Sequence, residues 1–172
     1  YKSSREALNT YYLKTIHHEF THILHQTVEF STAYQFITTD YKVDKCFNRE
    51  FADFLSRGFI TDYAQKNYHE DFAEMVSTYV TNTEEEWEAL LKKASYAPKK
   101  DKDGNLVYDA NGSVIADTTT KANGRDLIEQ KLSIMRSYMQ DQWGIDIDEL
   151  RASILQREND VVNGKVDLKN LD

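Results

Sequence analysis

The chain has 172 residues, 40% of them hydrophobic, and a formal net charge of −8 at pH 7. This length and composition are typical of one globular domain with a sizeable core, and we expect residues 1–172 to form a single domain. The negative charge argues against nucleic-acid binding, because phosphates require a basic surface. No apolar run approaches the roughly 20 residues that a membrane helix needs. The single cysteine, Cys46, excludes a disulfide framework.

The most informative segment is an HExxH sequence, His18-Glu19-Phe20-Thr21-His22. Upstream of it, Ser3-Ser4-Arg5-Glu6 predicts a capping box at the start of a long helix. On a helix, residues four apart lie one turn above each other, so His18 and His22 can reach the same ion. Glu19 is rotated by about 100° from His18 and can hold a water beside that ion. The pattern therefore predicts a zinc hydrolase in which Glu19 is the base.

Apolar side chains around the motif predict that its helix is half-buried. They are Ile16, Phe20, Ile23, Leu24 and Val28. Inward-facing histidines without partners would cost free energy, and binding a shared metal ion avoids this cost. The alternative interpretation is that both are structural histidines whose ring nitrogens are satisfied by hydrogen bonds.

A catalytic zinc also needs a third protein ligand. His25 lies one turn beyond His22, which suits a supporting role better than direct ligation. Glu70 lies in the segment 68–76, which reads as a helix, and it shares a face with Glu74. A plausible arrangement has Glu70 on the metal, while Glu74 accepts the ring N–H of a ligand histidine.

The sequence leaves two alternatives open for this third ligand. Asn67 and Glu70 match a capping box, which would explain Glu70 by helix geometry alone. Asp71 and His69 flank Glu70, and spacing alone excludes neither of them as the ligand.

Periodicity and capping signals predict the other helices. Residues 48–57 read as one helix, and Thr83–Glu86 is a capping box that begins another. Two further helices are predicted at 125–143 and 147–158. A polar tail at 161–172 is predicted to pack loosely.

Residues 98–124 predict a β-hairpin insertion. The dipeptide Asn111-Gly112 is a common hairpin turn, and it lies between the apolar runs 106–108 and 114–116. Residues 101–105 also hint at a calcium loop, but their glycine comes too early for an EF-hand. The expected fold class is mainly α, or α+β, with one small hairpin.

Two short blocks resemble those of a known family. The blocks HHEFTHILHQ and EDFAE look like those of substrate-import-associated zinc metallohydrolase lipoproteins. HExxH followed by ExxxE about fifty residues later also resembles the gluzincin pattern. The second block is similar to that of anthrax lethal factor, which has a tyrosine seven residues before its ligand glutamate. The resemblance implies a zincin-like helical core, with Glu70 as the third ligand, Glu74 supporting a histidine, and Tyr63 donating to the oxyanion.

This resemblance implies a zinc metallopeptidase that acts on a peptide or protein. It also implies an exported protein, lipid-anchored or at the periplasm or cell surface of a bacterium, beside outer-membrane import proteins. Zincins carry a β-sheet before the HExxH helix, and only 17 residues precede His18. We therefore expect the C-terminal part of a longer precursor, without that sheet.

Two other functions remain open at this point. One is a non-catalytic, zinc-stabilised binding module associated with a nutrient-import system. The other is a zinc amidohydrolase that acts on a non-peptide amide. The presence of Glu19 favours an enzyme, because binding alone does not require a base beside the metal.

Overall fold

The structure, a computed structural model, describes residues 4–166, without the side chains of Thr10 and Tyr11. The α-helices are α1 (Arg5–Leu8), α2 (Lys14–Thr27), α3 (Tyr68–Thr81), α4 (Glu84–Ala94), α5 (Gly124–Trp143) and α6 (Ile147–Val162). A π-helical section, Asn9–Leu13, joins α1 to α2. Short 3₁₀ helices lie at Thr32–Phe36, Arg49–Phe51, Phe54–Arg57 and Tyr63–Gln65. The strands are β1 (Tyr96–Pro98) and β2 (Ala116–Lys121).

Helix α3 lies at the centre of the fold. Every side chain from Asp71 to Thr81 is buried, and the helix contacts α2, α5 and α6. The side chain of Asn67 caps its N-terminus by accepting hydrogen bonds from the backbone N–H groups of His69 and Glu70. The surrounding core includes Phe30, Tyr34, Phe59, Phe72, Met75, Val80, Trp87, Ile128 and Met135. The Asn67 cap and the packing of the core therefore fix the position of the first turns of α3.

Helix α2 is half-buried as predicted, but it packs against α3 through its polar face, and of the five apolar residues around the motif only Leu24 is buried. The buried side chains of α2 are His18, Thr21, Leu24 and His25. The exposed apolar ones on and just after this helix are Ile16, Phe20, Ile23 and Val28. His18 pairs with Glu70 and Glu74 of α3, and hydrophobicity alone cannot reveal such partners.

The start of α1 differs from the predicted capping box. Its N-cap is Ser4, whose side chain accepts a hydrogen bond from the backbone N–H of Ala7. Ser3 lies outside the described residues. By contrast, the capping box between Thr83 and Glu86 at the start of α4 is confirmed.

Residues 48–57 do not form the predicted α-helix. They form two short 3₁₀ helices, Arg49–Phe51 and Phe54–Arg57. Arg57 Nε lies 3.0 Å from Asp53 Oδ1, and the hydroxyl of Ser56 donates to the backbone carbonyl of Asp53. Gly58 then ends the segment with a φ of 85°.

Strands β1 and β2 pair antiparallel, and the chain between them folds back as a hairpin. Asp101 and Asp109 each accept two backbone N–H hydrogen bonds of 2.9 Å in tight turns. The turn at 101–105 therefore uses its own carboxylate, which accounts for the residues that hinted at a calcium loop. The prediction of a mainly α fold with a small hairpin is confirmed.

Helices α5 and α6 confirm the two predicted C-terminal helices, but α6 extends to Val162. Val161 is buried, so the beginning of the predicted loose tail belongs to this helix. Residues 167–172 of that tail lie outside the described residues. Across residues 4–166, no helix combines the length and the apolar character needed to cross a membrane.

A buried ion pair joins α5 to α3. Lys131 Nζ lies 2.6 Å from Asp71 Oδ2, and both side chains are fully buried. The ammonium group also donates to the carbonyl of Gly58 at 2.7 Å. Burial raises the pKa of Asp71 and lowers the pKa of Lys131, and each charge partly offsets the shift of the other. This pair turns the Asp71 carboxylate toward α5.

Candidate metal centre

Three side chains from α2 and α3 converge in the groove between the two helices. His18 Nε2 and His22 Nε2 lie 3.0 Å apart, and Glu70 Oε2 is 3.1 Å from the first and 3.0 Å from the second. The motif spacing on α2 stacks the two imidazoles, while the Asn67 cap fixes the start of α3. The three candidate ligands are therefore brought together by helix packing.

The protonation pattern of this triangle fits a bound cation. His18 Nδ1 lies 2.8 Å from Glu74 Oε1, an ion-pair distance although the N–H does not point straight at the oxygen. Because a carboxylate only accepts, the hydrogen of a neutral His18 belongs on Nδ1, and Nε2 turns a lone pair toward Glu70. A cation held between this nitrogen and the Glu70 carboxylate would satisfy both lone pairs, as a proton on Nε2 does without it. Tetrahedral zinc, with bonds of about 2.0–2.1 Å, would hold such donors roughly 3.3 Å apart.

Glu74 connects this triangle to the rest of the fold. Besides His18, its carboxylate contacts Lys14 Nζ at 3.1 Å and accepts a hydrogen bond of 2.8 Å from the Thr61 hydroxyl. Burial alone would raise the pKa of Glu74, but these contacts outweigh it and lower the pKa to about 2. Burial would likewise lower the pKa of His18, yet Glu74 and Glu70 raise it. Glu74 therefore stays ionised and orients the His18 ring.

His22 has a different partner for its outer nitrogen. Its Nδ1 lies 2.8 Å from His25 Nε2, and His25 is only 5% exposed. Burial lowers the pKa of His25, with nearby His69 and His22 adding to the shift. A neutral His25 can accept the Nδ1 hydrogen of His22, which leaves Nε2 of His22 free as a donor to a metal.

Tyr63 lies at the edge of the triangle. Its hydroxyl donates to Glu70 Oε1 at 3.2 Å, and Lys66 Nζ donates to the same hydroxyl at 3.0 Å. The ring stacks on Phe47, with centroids 5.7 Å apart. Burial would raise the pKa of Glu70, but His22, Tyr63 and His18 together lower it. Glu70 is thus held as a carboxylate.

The structure separates the competing ligand candidates from the triangle. Asp71 pairs with Lys131, and His69 Nε2 lies 3.2 Å from Glu29 Oε2. The Glu70 carboxylate contacts the histidines, so capping does not explain its position. Glu19 is exposed on α2, next to His18 in sequence.

Sequence reasoning missed several residues around this centre, namely Lys14, Glu29, Phe47, Thr61 and Lys66. Lys14 precedes His18 by four residues and so lies on the same face of α2. Lys66 precedes Glu70 by the same spacing. The other three lie in loops, and no local sequence signal links them to the histidines.

Comparisons with known proteins identify the family of the chain. Residues 1–148 match a family described as "putative zinc-binding metallo-peptidase", and the chain belongs to this family. A crystal structure described as a "putative zinc-binding metallo-peptidase" from Bacteroides caccae aligns with 100% of the chain, at a TM-score of 0.76 and 29% identity. The chain spans 56% of the length of that crystallised chain.

No curated protein matches the chain. The family and the structural neighbour are both described as zinc-binding, and zinc is the predicted cofactor. Membership of a zinc metallopeptidase family is therefore confirmed. These descriptions mention neither gluzincins nor lipoproteins, so those two assignments stay predictions.

Proposed function

We propose that this chain is a gluzincin-like zinc peptidase in which His18, His22 and Glu70 hold the zinc. The observation that carries this proposal is the convergence of three ligand atoms within 3.1 Å of one another on two packed helices. Two imidazoles and one carboxylate are a ligand set that catalytic zinc sites use, and this set leaves a position open for water or substrate.

Each supporting residue has a defined task in this proposal. Glu74 and His25 orient the rings of His18 and His22, so that both Nε2 atoms face one point. Tyr63 and Lys66 border the same point on the side of Glu70. The ligand geometry is thus set before any substrate arrives.

The proposed reaction is hydrolysis of a peptide bond. When bound, zinc supplies a Lewis acid that polarises a carbonyl and lowers the pKa of a water. Glu19 takes a proton from the attacking water and returns it to the nitrogen of the leaving amine. The Tyr63 hydroxyl turns from Glu70 and donates to the carbonyl oxygen as negative charge develops there. The exposed position of Glu19 is consistent with its contacting a substrate from solvent.

We also propose that the protein is exported and lipid-anchored in a bacterium, at the periplasm or cell surface, beside outer-membrane import proteins. This part rests on the resemblance of the blocks HHEFTHILHQ and EDFAE to those of import-associated lipoproteins. Fractionation of the native host would test it: recovery in the soluble cytoplasm would contradict it.

Zinc content and peptide hydrolysis, measured on the same preparations, test the enzymatic proposal. Wild type should bind one zinc tightly and cleave a quenched fluorescent peptide library. Glu70→Ala should lose the tight zinc, whereas Glu19→Gln should keep it and lose about 10²–10⁴-fold in kcat. Glu85→Gln, an exposed acid on α4, serves as the charge-matched control.

Three outcomes would contradict parts of the proposal. Tight zinc in Glu70→Ala would refute the ligand set. Full turnover in Glu19→Gln would refute the base. A zinc-loaded wild type without any hydrolysis would favour the binding module over the peptidase.

A further inference from the structure

A groove lies between residues 46–56 and the hairpin that joins β1 to β2. Its volume is about 520 Å³, within the range of cavities that hold small ligands. Most of its lining is apolar, and the largest of these side chains are partly or fully exposed. They are Phe47, Phe54, Leu90, Tyr96, Tyr108 and Val114. The groove therefore offers apolar surface that no other side chain of residues 4–166 fills.

Contacts on two sides give the groove a fixed shape. Ile60 lines it, is buried and belongs to the main core. From the hairpin, the Tyr108 hydroxyl donates to the backbone carbonyl of Arg49, and the Arg49 guanidinium lies 4.3 Å from the centroid of the Tyr108 ring. These contacts hold the hairpin against residues 46–56. Because the groove is formed in advance, a ligand binds with little cost for ordering the protein.

The charged groups in the lining favour an apolar ligand. The two carboxylates already have partners: Asp53 Oδ1 lies 3.0 Å from Arg57 Nε, and Asp62 Oδ1 accepts the backbone N–H of Tyr63. The cations in the lining, Lys93 among them, are exposed. An acidic ligand would meet only these exposed cations, whose attraction water weakens, whereas an apolar ligand would contact most of the lining.

The groove adjoins the candidate metal centre. Phe47 lines the groove, and its ring stacks on Tyr63, whose hydroxyl donates to Glu70. Thr61 also lines the groove, and its hydroxyl donates to Glu74. A peptide held at the metal centre can therefore place a neighbouring side chain in the groove.

We propose that this groove selects the substrate by binding a large apolar side chain, such as that of phenylalanine, from the peptide to be cleaved. The identity of this ligand rests on the proposed function, because a peptidase must bind a peptide beside its metal. Pairs between aromatic rings add to the gain from burial. Burial of the phenylalanine side chain should make binding roughly 10–100-fold tighter than that of an alanine peptide.

Peptide binding to metal-free protein tests the groove without turnover. The probes are three blocked tripeptides with a central phenylalanine, alanine or glutamate between two alanines, and backbone amide NMR shifts follow each titration. The phenylalanine peptide should bind roughly 10–100-fold tighter than the alanine peptide and should shift amides in residues 46–56 and 106–116. Equal affinities for these two peptides, or tightest binding of the glutamate peptide, would overturn the proposal.

A variant that fills the groove provides a second test. Val114→Trp places a large ring in it, and Val107→Trp makes the same substitution on the opposite face of the hairpin, because Tyr108 pairs with Val114 and side chains alternate. Val114→Trp should bind the phenylalanine peptide no tighter than the alanine peptide, whereas Val107→Trp should keep the preference. In zinc-loaded protein, Val114→Trp should lower kcat/KM for phenylalanine substrates by the same roughly 10–100-fold and leave alanine substrates unchanged. An unchanged preference in Val114→Trp would overturn the groove.

The groove and the peptidase can fail separately. Selective binding of the phenylalanine peptide by a zinc-loaded protein that cleaves nothing would support the groove and contradict the proposed hydrolysis. Cleavage that shows no preference for large apolar side chains would contradict the groove and leave the hydrolysis supported. The dispersion of the amide signals shows whether each variant is folded, and the wild-type titration tests the groove without any variant.

Discussion

His18 contacts carboxylates from two successive turns of α3, Glu70 Oε2 at 3.1 Å from Nε2 and Glu74 Oε1 at 2.8 Å from Nδ1. One helix thus supplies both a candidate ligand and the group that orients a ligand from the other helix. Any change in how α2 packs on α3 would alter both contacts together. These contacts place the polar face of α2 against α3, where it is buried.

Removal of the Glu74 carboxylate should weaken zinc binding without abolishing it. Glu74→Ala leaves the His18 ring free to rotate and lowers its basicity, so we expect zinc affinity to fall about 10–100-fold. Competition with a chromophoric chelator measures the affinity. Glu74→Gln, which retains one acceptor for the ring N–H, should lose less than Glu74→Ala. An unchanged affinity in Glu74→Ala would show that His18 needs no partner.

The Tyr63 hydroxyl should act on the rate more than on metal affinity. Tyr63→Phe removes one donor to the developing oxyanion, and loss of such a donor costs about 10²–10³ in kcat. Steady-state kinetics of the zinc-loaded variant measure this effect. If Tyr63 instead only holds Glu70 through its 3.2 Å hydrogen bond, zinc affinity would drop and kcat of the loaded enzyme would not.

The pair between Lys131 and Asp71 should be sensitive to the loss of one partner. Lys131→Met leaves the Asp71 carboxylate fully buried without its cation, and such a change costs about 3–5 kcal/mol in the free energy of unfolding. Urea denaturation measures it. Adding Asp71→Asn to Lys131→Met should recover part of the loss. A cost below about 1 kcal/mol for the single variant would mean that the interior rearranges around the charge.

The contact of Arg5 with Glu86 should stabilise the protein only where Glu86 is ionised. The Arg5 hydrogen bonds lower the pKa of Glu86 from 4.5 to about 2. A depressed folded pKa means that the stabilisation is complete above pH 4.5 and disappears as the pH falls toward 2. The stability difference between wild type and Glu86→Gln should therefore be largest at neutral pH and shrink below pH 4.5.

Urea denaturation at a series of pH values measures that difference. Glu85→Gln, one residue earlier on α4, should differ from wild type by a small amount that does not change with pH in this way. If the stability difference between wild type and Glu86→Gln grew as the pH fell, the lowered pKa of Glu86 would be contradicted.

The sequence predicted the parts of the fold that local signals encode. The caps at Asn67 and Thr83 mark the starts of α3 and α4, because an N-cap side chain satisfies backbone N–H groups within three residues. The motif spacing likewise anticipated His18 and His22 on one face of α2. The roles assigned to Glu19, Glu70, Tyr63, Glu74 and His25 stay predictions.

Features of the fold that depend on contacts between residues distant in the chain could not be predicted from the sequence. Ile16 and Phe20 are more hydrophobic than His18 and His25, yet the histidines are buried. His18 pairs with Glu74 of α3, and the ring of His25 stacks on His69 at the start of the same helix. The burial of Lys131 depends on Asp71, 60 positions away in the chain. Residues 48–57 follow a helical pattern, but they form two short 3₁₀ helices in the structure.

The candidate ligands His22 and Glu70 are separated by 48 positions in the chain. An ion held by both binds only while α2 packs on α3, so it is released when the chain unfolds. Ligand binding to the folded state adds about 2.7 kcal/mol of stability when free zinc reaches 100 times the Kd. The melting temperature of this protein should therefore rise with free zinc concentration, so that thermal unfolding reports the metal supply around it.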